Sequence, residues 1–163
     1  TWQFVNNALN GRHIMSSWIL VADSAYARLF YAETAKSTLI EIKSMIHPEA
    51  RQHEQKLTSD LPGRQAGGAI NSHHSVGGKT EPKKNEAVEF AREICRYLEA
   101  EYNAHKFSQL IVVAAPHFLG NLRKEMSSNV AKVVTLEIDK DIVKQDIDSI
   151  RGLLPIILPS LAT

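Results

Sequence analysis

The chain has 163 residues, the length of one ordinary domain, since single cores close at about 100–200 residues and splitting begins above that. Its 44% hydrophobic and 23% charged residues exclude a disordered or fibrous chain. A formal net charge of +1 excludes a whole-molecule attraction to nucleic acid or membrane and leaves only local patches to read such partners.

Residues Thr1 to Ile14 carry Asn6, Asn7, Asn10, Gly11 and Arg12, which interrupt any periodicity. The stretch is expected to be upstream or vector-derived sequence, with Met15 as the natural start. The alternative is an arm that packs through Trp2 and Phe4. No apolar run approaches the roughly 18–20 residues of a membrane span, and the start lacks a basic segment followed by an apolar stretch, so neither a span nor secretion is expected.

Trp18 to Ala22 and Tyr26 to Tyr31 read as two strands of a hairpin around the Asp23-Ser24-Ala25 break. Thr38 to Ile46 alternates as a third strand with one wet face. Between His47 and Lys84 the apolar signal fades; after a short helix from about Glu49 to Leu57, the rest reads as a long loop holding Gly63, Gly67, Gly68, Gly77 and Gly78. Asn85 is a plausible N-cap, with Glu86 and Glu89 in the first turns, where the helix dipole favours carboxylates.

The helix Asn85 to about Ala104 carries an apolar stripe of Val88, Ala91, Ile94, Cys95, Leu98 and Tyr102. Cys95 is the single cysteine; it cannot form an internal disulfide and suits a reducing, cytoplasmic setting. Inside an apolar stripe its thiol is a poor nucleophile. Leu110 to Ala115 reads as a central strand covered on both faces, ended by Pro116 at a helix start. Phe118 to Met126 is then a helix, Val133 to Ile138 a strand and Gln145 to Leu154 a final helix. This order predicts an α/β fold with a mixed five-stranded sheet, its three leading strands antiparallel, in a three-layer ribonuclease H-like layout.

Several segments carry a resemblance: Trp18 to Phe30 (WILVADSAYARLF), Leu61 to Arg64 (LPGR), Lys79 to Lys84 (KTEPKK), Glu89 to Ile94 (EFAREI), Leu110 to Leu122 (LIVVAAPHFLGNL) and Glu137 to Asp141 (EIDKD). Their order and spacing resemble the bacterial proteins known as required for attachment to host cells. That family resembles the middle domain of eukaryotic and archaeal peptide-chain release factors, which implies a ribosome- or transfer-RNA-directed role. The resemblance divides the chain into residues 1–14, a release-factor-middle-domain-like α/β domain over residues 15–154, and an apolar C-terminal tail over residues 155–163. In release factors a Gly-Gly-Gln tip promotes ester hydrolysis; here the matching loop reads Gly63-Arg64-Gln65. Gln65 is the candidate catalytic residue by that analogy. A side chain at Arg64 limits positive φ and close backbone approach, so the isolated protein is not expected to hydrolyse peptidyl-tRNA.

From His47 to Lys84 six Lys or Arg stand against four carboxylates, together with four of the seven histidines. Glycine backbone N–H groups and cations suit phosphate, so Arg64, His73, His74, Lys79, Lys83 and Lys84 are the candidate nucleic-acid-binding residues, with the ribosome or structured RNA as partner. A solvated connection with no ligand is the bland alternative. Adjacent His73 and His74 lack the further donors that structural zinc requires, and no metal or other cofactor is expected.

Asp23 stands where ribonuclease H-like nucleases place a metal-binding aspartate, but the Ala114-Ala115-Pro116 strand end brings no partner acid, so Asp23 is expected to form the turn. Arg28 is expected to pair with Asp23, or else to reach a phosphate, and His117 to cap the turn after Pro116, or else to hydrogen-bond an anion at the helix N-terminus. The function hypotheses are an RNA- or ribosome-associated factor, a non-catalytic protein-interaction domain presenting Pro155 to Leu161, and, third, a metal-dependent nuclease.

Overall fold

The computed structural model describes residues 16–52 and 80–161, with the backbone alone over 80–83. Strands β1 (Ser17–Ala22), β2 (Tyr26–Ala32) and β3 (Ile40–Ile46) come first. A short helical stretch α1 (48–52), helix α2 (Thr80–Asn103) and strand β4 (Gln109–Ala114) follow. The chain then forms helices α3 (Pro116–Glu125) and α4 (Ser128–Ala131), strand β5 (Val134–Asp139) and helix α5 (Ile147–Leu153).

The sheet order is β3-β2-β1-β4-β5. β2 is antiparallel to both β1 and β3, whereas β1 and β4, and β4 and β5, are parallel. The mixed five-stranded α/β sheet read from the element order is therefore present. β1 and β4 are buried at every position, as an unbroken apolar run between two covered faces requires.

Alternate residues of the central strands feed two cores. Trp18, Leu20, Leu110 and Val112 pack under α2, α3 and α4 with Phe90, Ile94, Leu98 and Leu122. Ile19, Val21, Ile111 and Val113 pack on the other face with Ile142, Val143, Ile150, Leu154 and Leu158. Each large aliphatic side chain buried this way contributes about 1.5–3 kcal/mol.

Several boundaries differ from the sequence reading, each for a local reason. α2 starts at Thr80, five residues before Asn85, so Asn85 is not its cap. Glu81, Lys83 and Lys84 favour helix, and Pro82 is tolerated in a first turn because the N–H it lacks would have had no partner there. The buried face of α2 is centred on Phe90, Ala91, Ile94, Cys95 and Leu98, while Val88 is only half-buried. α3 begins at Pro116 and ends at Glu125, with Pro in its first turn.

The four-residue helix α4 was not legible in the sequence; the Ser127 side chain caps it by accepting from the Val130 N–H at 3.4 Å. α5 starts after Asp146, whose carboxylate accepts from the Ser149 N–H at 2.8 Å. β3 begins at Ile40, and its register on β2 shifts between Leu29 and Phe30, leaving Ile42 as the extra residue of a bulge. Of the two alternating sets, the exposed one carries Ile40, Ile42 and Ile46, whereas Lys43 and Met45 are half-buried.

Candidate functional site

Parallel β1, β4 and β5 deliver their C-terminal ends to one end of the sheet, the place where α/β folds gather their loops. Asp23 stands there as the turn former the sequence suggests. Its Oδ1 accepts from the N–H groups of Ala25 at 2.8 Å and Tyr26 at 2.7 Å, and its own N–H donates to the Tyr26 carbonyl at 2.9 Å. Ala115 N–H donates to the Ala22 carbonyl at 3.2 Å, tying the end of β4 to β1 directly before α3. His117 is exposed, and no side chain caps the α3 start, which corrects the capping role expected for it.

The same end anchors the chain on both sides of residues 53–79. His47 N–H donates to the Ala25 carbonyl at 2.8 Å, and its ring meets Phe90 of α2 edge-on at 5.5 Å. Phe90 in turn stacks on Phe118 at 5.9 Å. Arg64, Gln65, His73, His74 and Lys79 lie outside the described residues, as does most of the helix expected from Glu49 to Leu57, and the Lys83 side chain is likewise outside them. Lys84 is exposed in the first turns of α2.

Arg28 does not pair with Asp23. Its Nε and Nη2 donate to the two carboxylate oxygens of Glu41 at 2.9 and 3.0 Å, and Nη1 donates to the carbonyls of Val143 at 3.0 Å and Gln145 at 2.6 Å. The guanidinium also lies 5.0 Å from the centre of the Phe30 ring. The strand alternation puts Arg28 on the face of Val21, opposite Ser44, within reach of β3 and the segment after β5. Hydrogen bonding from Arg28 holds the Glu41 carboxyl below the usual carboxylate range. This pair clamps β2, β3 and the chain after β5 together.

A groove of about 720 Å³ lies beside β3 and α2. Lys43, Ser44, Met45 and Ile46 line it from the strand, and Arg51, Glu93 and Tyr97 line it from the two helical elements. The Lys43 ammonium sits 4.3 Å from the Tyr97 ring centre, a cation–π contact that holds its charge at the groove. Burial pushes the Tyr97 hydroxyl above its ordinary value, with the nearby Glu101 adding to the shift. Sequence reasoning missed this groove. Its one signal was Lys43 standing at the same alternation as Leu39 and Met45.

Cys95 is buried, with Sγ 3.6 Å from the Leu122 carbonyl, and burial pushes its thiol up to about 12. At the opposite end of the sheet the segment after α5 is strapped down. Arg151 donates to the carbonyls of Ser37 at 3.0 Å, Pro155 at 2.9 Å, Ala35 at 3.4 Å and Ile156 at 2.9 Å. Leu158 N–H donates to the Ala35 carbonyl at 2.9 Å, and Leu161 N–H to Oε1 of the buried Gln109 at 3.1 Å. Leu158 enters the core, while Ile156 and Ile157 remain 84% and 59% exposed. Among the described residues no helix is long and apolar enough to cross a membrane, and no three His, Cys, Asp or Glu side chains gather to hold a metal ion.

Comparison with known proteins adds a family. The family model described as "Protein required for attachment to host cells" matches residues 18–154. An uncharacterized protein of Rickettsia prowazekii (strain Madrid E) is 32% identical over 139 residues, covering 81% of this chain and 87% of that protein. Two crystal structures from the Aquifex aeolicus Ppx/GppA family align at TM-scores of 0.40 and 0.36, with 16% and 17% identity. They cover 77% and 75% of this chain, which spans about a third of their own length, 36% and 34%.

Proposed function

Starting from the fact that the chain belongs to the family of proteins required for attachment to host cells, we propose that it acts as an RNA- or ribosome-associated factor. The observation that carries this reading is the anchoring of His47 and α2, through Phe90, at the end of the sheet where β1 and β4 finish. Those anchors bracket the basic, glycine-rich part of the sequence. Arg64, His73, His74, Lys79, Lys83 and Lys84 then supply cations and donors to phosphate. The strand order with β2 alone running antiparallel supports a ribonuclease H-like arrangement, and with it the likeness to the release-factor middle domain. Residues 15–154 are read as one such domain, acting in the cytoplasm.

Ribosome co-sedimentation at low and moderate salt tests the proposal. Association should weaken steeply with salt, and replacing Arg64, Lys79, Lys83 and Lys84 by Ala should flatten the log K against log salt slope by roughly 3–4. Absence from the ribosomal fractions at low salt would sink it. On the chemistry, free protein should release no peptide from charged tRNA. Release in the presence of ribosomes that disappears on Gln65→Ala would make Gln65 the residue that positions water.

A second reading, a non-catalytic protein-interaction domain, draws on Ile156 and Ile157, which stay exposed although the backbone around them is held by Arg151. A pinned apolar patch is the form of an interface anchor. Salt-insensitive binding of a protein partner, lost on Ile156→Lys, would favour it over the RNA reading.

A further inference from the structure

β3 is an edge strand, paired with β2 on one side and with no strand of the described sheet on the other. The groove beside it meets Lys43, Ser44, Met45 and Ile46, four consecutive residues. Successive side chains leave a strand on opposite faces. Lys43 sits over Tyr97 and Met45 packs against the core under α2, so the groove lies on the α2 side of β3, next to the open edge of the strand, where alternate N–H and C=O groups point outward. The bulge at Ile42 marks one limit of this edge. What remains spans about 13 Å, at roughly 3.3 Å per residue.

The charge around this edge selects the occupant. Lys43, held over Tyr97, and Arg51 line the groove with Glu93 as the single carboxylate among the described lining residues. A second copy of β3 brings little to these cations, because both oxygens of Glu41 are taken by Arg28 of its own chain. A strand that carries an unpaired carboxylate complements these cations better than a second β3 does.

We propose that the β3 edge takes an extended segment of a partner protein as an added strand beside Lys43 to Ile46, with an Asp or Glu side chain of that segment set against Lys43 and Arg51. Backbone hydrogen bonds supply the general affinity in this mode, and the groove selects the acidic side chain. The described lining comes from β3, α1 and α2, and the test reads peptide binding in the absence of RNA.

The test pans a random dodecapeptide phage library against the full chain and resynthesises the recovered peptides with a fluorophore. Recovered peptides should be rich in β-branched residues and acidic. Arg51→Glu should weaken them by about tenfold or more, the size of one close charge pair, and a Lys-for-Glu version of the peptide should regain affinity on that variant. Lys43→Glu repeats the measurement on another element, so that misfolding of one variant does not decide the matter. Saturating peptide should slow hydrogen exchange at the amides of Lys43 to Ile46. The proposal is overturned if no peptide is recovered, if both charge reversals leave binding unchanged, or if binding brings no protection to β3. It is equally overturned if sedimentation reveals a dimer that protects the same amides, which would give the edge to a second copy.

Discussion

His105 is the one described non-glycine residue with positive φ, at 56°. It ends α2: its N–H donates to the Tyr102 carbonyl at 2.9 Å, and the Lys106 N–H donates to the Glu101 carbonyl at 3.0 Å, the paired bonds of a Schellman ending. Glycine occupies that conformation without the Cβ penalty, so His105→Gly should raise stability by about 0.5–1 kcal/mol, seen as a higher urea midpoint at unchanged slope. Cys95 gives a pH prediction. Its thiol titrates at about 12 when folded against an ordinary value of 9.0, so the unfolded chain loses this proton first as pH rises. Stability from this group is intact below pH 9 and falls between pH 9 and 12. Cys95→Ala should remove that part of the alkaline slope in denaturant titrations at several pH values, and the native thiol should resist iodoacetamide at neutral pH until the chain unfolds. The inertness of Cys95 and the turn role of Asp23 were legible because each depends on immediate neighbours. The partner of Arg28 was not, since Glu41 lies across a bulged strand pair and the Val143 and Gln145 carbonyls are more than a hundred residues away in sequence.

Helices carry the next set of expectations. Gly120 in α3 and Gly152 in α5 each leave open space where a Cβ would stand. Alanine at either position should stabilise the protein by about 0.5–1 kcal/mol, because nothing has to move and the unfolded chain loses freedom. A drop in melting temperature for either variant would contradict this. Arg151 serves two elements at once, holding the turn before β3 and the segment after α5 through four carbonyls. Arg151→Ala should cost about 1–3 kcal/mol and speed hydrogen exchange at Leu158 and Leu161 ahead of the sheet. The existence of the long elements was readable from their periodicity. Their ends were not, because no break in the apolar periodicity marks the start of α2 at Thr80 or of β3 at Ile40.

For the molecule as a whole, the sheet was legible in outline: two central strands are continuous apolar runs, and helices separate the strands that turn out parallel. The groove at β3 was hidden, since it lies between β3 and α2, where Lys43 meets Tyr97 across a tertiary contact that no local pattern encodes. The same sheet has a consequence for synthesis. β1 lies at its centre, yet its second neighbour β4 is far along the chain, with Ser17 and Gln109 92 positions apart. A growing chain that has released β1, β2 and β3 shows one whole flank of β1, all six residues of which end fully buried. At about 5–20 residues per second, that flank waits roughly 5–20 s for its cover. A chain stopped at Ser108 should therefore sediment as aggregate, while one carried through α5 should remain in the supernatant. The order of strands thus sets how long that flank stays open during synthesis, and slow codons ahead of β4 should lower the soluble yield.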